Sequence, residues 1–228
     1  MSSHDQIYQE QAQQYDQLIG RQRSLMPEIS RIVDLKGKQV LDIGAGSGRL
    51  TFPAAIYAER VVALDVSKEM LELLLDKARM QALQRIETVV SDHLQLPFGD
   101  NQFDVVLAGW SLCYSANLHV TGWRDNLQQM MMEITRVLRT NGTIILFENM
   151  GTATTTPEPP DFLVPYFKEL ETTYGMKREV FRLDYAFDHV EEAIEEVRFF
   201  FGAEFADRVK EAQWSTVPEF AGMWWKQL

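Results

Sequence analysis

The sequence predicts a doubly wound α/β fold, a mostly parallel sheet with helices on both faces. Three observations lead there. Between about Lys38 and Glu148, short apolar segments alternate with amphipathic ones, as in a parallel sheet covered on both sides. The first apolar segment runs straight into a glycine-rich turn, Gly44-Ala45-Gly46-Ser47-Gly48, which then opens a helix. An acidic residue, Asp65, closes the second apolar segment about twenty residues further on, where open α/β sheets place a ligand-binding carboxylate.

The strands are read at Gln39–Ile43, Arg60–Leu64, Ile86–Val90, Phe103–Ala108 and Thr143–Glu148, each short, apolar or β-branched and without internal proline. Ser67 is the expected N-cap of a helix through Leu71, Leu74, Leu75 and Ala78. Trp123, Leu127, Met130, Met131, Ile134, Val137 and Leu138 follow helical spacing, and this methionine-rich stripe reads as core. Asn141-Gly142 supplies the turn into the fifth strand. After Asn149 the texture changes. Gly151–Pro160 reads as a loop, Asp161–Tyr174 as a helix, Met176–Phe187 as a strand, His189–Ala212 as one long helix and Val217–Lys226 as a last strand. Two further strands bring the sheet to seven. Before it, Asp5–Ile19 carries Ile7, Tyr8, Ala12, Tyr15, Leu18 and Ile19 at helical spacing. One domain over 1–228 is expected, with a helical cap (1–36), a ligand-binding core (37–149) and a C-terminal part (150–228) that completes the sheet and supplies substrate-side elements.

Composition bounds the function. The 228 residues are 46% apolar and 24% charged, the balance of a globular protein. No run approaches the ~18 apolar residues of a membrane span, and the polar N-terminus lacks a secretory signal's apolar centre. One cysteine, Cys113, excludes an internal disulfide and a cysteine metal cluster, and fits a cytoplasmic location. A net charge of −11 opposes attraction to a nucleic-acid backbone or an anionic membrane. The basic cluster Arg21, Arg23, Arg31, Lys36 and Lys38 is the one local exception, and reads as a solvated surface.

The glycine turn sets the ligand at the carboxyl end of the first strand. Glycines there let backbone and ligand approach closely, and a helix start offers N–H groups. A dinucleotide fingerprint needs Gly or Ala at its sixth position; counted from Gly44 that position is Arg49, so the fingerprint fails. Asp42, just inside the strand, can order the turn and meet an amino group through water. Asp65 can accept from both hydroxyls of a ribose. Asp92, in Ser91-Asp92-His93 after the third strand, can accept from a purine amine. Phe103–Ala108 then leads through Gly109 to Trp110 beside the glycine turn.

These four motifs, in this order and spacing, resemble the class I S-adenosylmethionine-dependent methyltransferases, in particular their small-molecule (type 11-like) branch. The resemblance covers roughly Tyr8 to Asn149. It implies a Rossmann-like sheet in the order 3-2-1-4-5-7-6 with the last strand antiparallel, and S-adenosylmethionine as cofactor. It places Gly44, Ala45 and Gly46 against the methionine moiety, Asp65 and Val66 at the ribose, Asp92 and His93 at the adenine, and Gly109 at the end of the fourth strand. It also makes Tyr8–Asp16 a helix that closes over the cofactor with Tyr15 facing it.

Methyl transfer from a sulfonium needs alignment more than catalytic groups, and a base only where the acceptor loses a proton. Tyr114 and His119, past the fourth strand, and His189, before the long helix, are the candidate bases. The resemblance disfavours two nucleic-acid classes. The turn Gly109-Trp110-Ser111-Leu112 lacks the prolines of base-amine methyltransferases, and Cys113 lacks the setting of a cytosine-C5 nucleophile. The absence of acidic ligands after the fourth strand argues against a metal. A small-molecule acceptor is therefore expected. A nucleic-acid or protein methyltransferase and a non-catalytic binder of the same cofactor remain the alternatives, and the oligomeric state is open.

Overall fold

The structure, a computed structural model, describes residues 11–228. The expected start of the first helix (Asp5–Glu10, with Ile7 and Tyr8) lies outside them. Helices α1 (Ala12–Gly20) and α2 (Met26–Ile32) precede β1 (Gln39–Ile43). The chain continues through α3 (Thr51–Ala55), β2 (Arg60–Asp65), α4 (Lys68–Met80), β3 (Ile86–Val90) and β4 (Phe103–Gly109). Then come α5 (Trp123–Val137), β5 (Leu138–Thr152), α6 (Val164–Thr172), β6 (Lys177–Arg182) and β7 (Tyr185–Ala186). The chain finishes with α7 (Val190–Phe201), α8 (Ala203–Ala212), β8 (Thr216–Val217) and β9 (Glu219–Gln227).

Seven strands form one sheet in the order β3-β2-β1-β4-β5-β9-β6. β1 to β5 are parallel, and β9, the last strand of the chain, runs antiparallel to both neighbours. This is the order the resemblance implied, with β9 as seventh strand. The reversal of strand order between β1 and β4 opens a crevice at their carboxyl ends.

Period-two alternation splits the sheet residues between two cores. Leu41, Ile43, Val62, Leu64, Val106 and Ile144 face one side, against the α5 stripe of Leu127, Met130, Met131, Ile134 and Val137. Val40, Val61, Ala63, Val105 and Leu107 face the other, against Leu71, Leu74 and Ala78 of α4. The methionine stripe is core. Ser67 caps α4 as expected, its Oγ accepting the Met70 amide at 3.2 Å.

The C-terminal third departs from expectation in three places. The long helix breaks at Gly202, whose φ of +91° and ψ of 178° lie in a region only glycine enters freely. The strand expected over Met176–Phe187 is two strands: β6 joins the main sheet, and β7 leaves it to pair with β8. The last strand is likewise divided, because Pro218, which has no N–H for a ladder, separates β8 from β9. The result is a third apolar cluster, in which Leu18 of α1 packs with Tyr185, Phe187, Ala193, Val197, Ala206 and Val209. The first helix and the C-terminal hairpin thus form one cap. Arg21 ties it together, with Nη2 at 2.5 Å from both Glu192 and Glu196.

The basic cluster is largely neutralised. Besides Arg21, Arg23 pairs with Glu28 at 2.7 Å and Arg31 with Glu179 at 3.0 Å. No described helix is long and apolar enough to cross a membrane.

Candidate active site

A cleft of about 260 Å³ opens at the carboxyl ends of β1, β2, β3 and β4. Of the residues expected at the cofactor, Tyr15, Gly44, Gly46, Asp65, Val66, Asp92, His93 and Gly109 line it. Tyr114 lines it too.

The glycine turn is shaped by close approach. A Cβ on Gly44, at φ +68°, would stand 2.2 Å from Ser111 Cβ, so Ser111, two residues past β4, can rest on the turn only because Gly44 has none. Ser111 Oγ then donates to Ile43 O at 2.8 Å. The turn's amides are mostly spent internally. Gly44 and Ala45 donate to Leu64 O, Gly48 to Ala45 O, and Gly46 to Asp65 Oδ2 at 2.8 Å. The expectation of freely available N–H groups is therefore corrected: this turn presents shape rather than an anion cradle. That agrees with the failed pyrophosphate fingerprint.

Asp65 accepts from Gly46 on one oxygen and from the Ser67 amide at 2.9 Å on the other. Burial raises its pKa, and the Ser67, Gly46 and Val66 amides oppose the rise. A carboxylate offers about four lone-pair directions, so acceptor capacity remains towards the cleft. Asp92 Oδ1 accepts from the Leu94 amide at 2.6 Å, and its side chain is exposed. His93 Nε2 lies 2.8 Å from Ser115 Oγ. Burial lowers the His93 pKa against the pull of Asp92 and Asp65, which favours the neutral ring.

Four expected residues stand elsewhere. Asp42 does not reach the cleft: it is fully buried beneath the turn, accepting from Thr51 Oγ1 at 2.6 Å, and burial pushes its pKa up to about 7. It orders the helix start through Thr51, while its other oxygen, Oδ1, is buried with no hydrogen-bond partner among the described residues. Ala45 is buried and contributes only backbone to the turn. His119 is exposed with its ring on Phe162, centroids 4.9 Å apart, and does not line the cleft. His189 is the exposed residue preceding α7, and is likewise outside it. Burial beside Glu148 holds the Cys113 thiol well above its ordinary pKa, which favours the protonated thiol.

Leu64, Met70 and Ser91 also line the cleft, and the sequence reading gave them no role there. Ser91 stands inside a motif that was read, Ser91-Asp92-His93, and that place was the available signal. Ser115 comes to His93 only through the fold. Among the described residues, no group of three His, Cys, Asp or Glu side chains converges as a metal site requires.

Comparison with known proteins bears on this arrangement directly. Residues 41–146, from β1 through most of β5, match the family described as a methyltransferase domain. The stretch that carries the glycine turn, Asp65 and Asp92 is thus similar to methyltransferase domains. A demethylmenaquinone methyltransferase of Bacillus cereus (strain B4264) is 30% identical to it over 162 residues, 68% of this chain and 62% of that protein. The chain spans only 23% to 62% of the length of the curated relatives it matches. Among solved structures, a SAM-dependent methyltransferase from Aquifex aeolicus superposes with a TM-score of 0.57 at 15% identity, over 87% of each chain. The cyclase SpnF does so with a TM-score of 0.57 at 21% identity, over 88% of this chain and 78% of its own. At such identities the methyltransferase domain shares a fold with these proteins, and the fold alone leaves the reaction open.

Proposed function

We propose that the chain transfers the sulfonium methyl of S-adenosylmethionine to a small-molecule acceptor by in-line displacement. The observation that carries this reading is Asp65: a carboxylate fixed at the end of β2 by two amides, beside a glycine turn that lets a ligand approach, in a domain of this family. The residues fit the cofactor. Asp65 would hold the ribose hydroxyls, Asp92 the adenine amine with His93 beside it, and Gly44–Gly46 the amino-acid end, with Tyr15 of the cap over them.

When bound, the cofactor supplies an activated methyl carbon. The protein's share is to align the acceptor and exclude water. The cap meets the second need, because α1 brings Tyr15 to the cleft and shares its apolar cluster with α7 and α8. Beside the carboxylates given to the cofactor, His93, on Ser115, and Tyr114 are titratable groups at the cleft that would take a proton from the acceptor. The acidic chain and its paired arginines favour a small acceptor over a polyanion. Demethylmenaquinone methyltransferase among the relatives favours the same class.

A screen of phenols, amines, thiols and carboxylates with radiolabelled cofactor tests the reading. Label should pass to one chemical class and not to RNA, DNA or protein; transfer to a macromolecule alone would replace the small-molecule reading.

A further inference from the structure

The cleft has two ends. Asp92 and His93 stand past β3, while Trp110 leaves β4 on the opposite side of β1 and carries its ring towards β5. Trp110 adopts a φ of +52°, a left-handed conformation that a bulky side chain rarely occupies. Its amide donates to Phe147 O at 2.8 Å, which holds the backbone there. The Phe147 ring lies nearly parallel to the indole, at 14° with centroids 6.2 Å apart, and the Arg49 guanidinium stands 3.5 Å from the indole centroid.

Arg49 is itself fixed from behind. It donates to Gln22 Oε1, and Gln22 Nε2 donates to Leu183 O at 2.6 Å and to Glu219 Oε1 at 3.3 Å. Glu219 is 2% exposed, and Thr152 Oγ1 donates to its other oxygen at 3.0 Å. Arg49, just past the glycine turn, and Phe147 of β5 thus meet on one indole, Gln22 and Glu219 stand behind Arg49, and Trp110 lines the cleft. Backbone strain at a cleft residue, held by a buried polar network, marks a position fixed for a ligand rather than for the fold alone.

We propose that Trp110 is the wall that sets how large a group fits at the β4 end of the cleft, and that Arg49, held by Gln22 and Glu219, is its positioning residue. This rests on the methyl-transfer reading, in which that end receives the acceptor. Arg49 suits the task because a planar guanidinium can lie flat on an indole, which a lysine ammonium cannot do.

The test uses the full chain and calorimetric affinities for S-adenosylhomocysteine and for sulfonium analogues bearing ethyl or allyl in place of methyl. The readout is each analogue's affinity relative to S-adenosylhomocysteine. In the parent, that ratio should fall by about tenfold or more as the alkyl group grows. Trp110→Ala should remove the fall, Trp110→Phe should reduce it, and Arg49→Met and Arg49→Lys should each reduce it because neither keeps the stack. Trp110→Phe keeps a ring in place should the alanine variant fail to fold. A change that merely loosened the fold would lower Tm and weaken every ligand alike, leaving the ratio as in the parent. That result, or an unaltered ratio in the Trp110 variants, overturns the proposal. Failure of the parent to bind S-adenosylhomocysteine overturns the methyl-transfer reading instead.

Discussion

The carboxylate of Asp65 accepts the Gly46 amide at 2.8 Å, so the residue expected to hold a ribose also holds the glycine turn in shape. Binding and architecture meet in one side chain.

Asp65→Ala should therefore do two things. It should weaken S-adenosylhomocysteine binding by about 2–4 kcal/mol, the worth of two charge-assisted hydrogen bonds. It should also lower Tm, because the Gly46 and Ser67 amides lose their acceptor. Asp65→Asn, which keeps one acceptor oxygen, should recover part of the stability and less of the affinity. Calorimetry and thermal melts of both variants check this, and unaltered affinity in Asp65→Ala would leave the residue purely structural.

Two glycines with nearly the same φ should respond differently to alanine. Gly44 at +68° meets Ser111 Cβ at 2.2 Å, whereas Gly37 at +70° meets nothing within 4 Å. Gly37→Ala should cost about 1 kcal/mol from backbone strain alone. Gly44→Ala should cost about 2–5 kcal/mol and abolish cofactor binding, since Ser111 and the β4 end must move as well. Urea unfolding of the two variants measures the difference, and equal costs would mean that the contact with Ser111 can relax.

Glu148 makes stability depend on pH. It is buried within β5, accepts from Tyr166 Oη at 3.2 Å and lies against the Cys113 thiol; burial pushes its pKa up to about 7. Between the ordinary carboxylate value near 4.5 and about 7, the folded state holds a proton that the unfolded chain releases. Its contribution is thus complete below pH ~4.5 and is lost as pH rises through about 7, by about 1.4 kcal/mol per unit. Asp42 and Glu219, also raised to about 7, add the same sign. Glu148→Gln should shrink the drop in urea midpoint between pH 5 and pH 8 relative to the parent. A parent midpoint that rises over that range would reverse the sign argued here.

The parallel half of the molecule was legible because each of its elements carries a local signal. Short, continuous apolar and β-branched runs marked β1, β2 and β4, Ser67 marked the start of α4, and the spacing from Leu127 to Val137 marked α5. The cleft followed, since Gly44, Asp65 and Asp92 all sit where strands end. What local pattern could not carry was pairing. Nothing within Met176–Phe187 says that Tyr185 will leave β6 to join Val217, because that partner lies more than thirty positions away. Asp42 misled for a related reason. A carboxylate one residue from a turn can face solvent or core, and Thr51, nine positions on, draws it inward. The meeting of Ser115 with His93 and of Gln22 with Arg49 depends likewise on how separate segments pack.

The most direct test of the central claim is isothermal titration of the full chain with S-adenosylhomocysteine, S-adenosylmethionine and NAD. Saturable binding of the first two, weakened by Asp65→Ala, with no heat from NAD, is the predicted result. Saturable NAD binding without a response to either adenosyl compound would contradict the account.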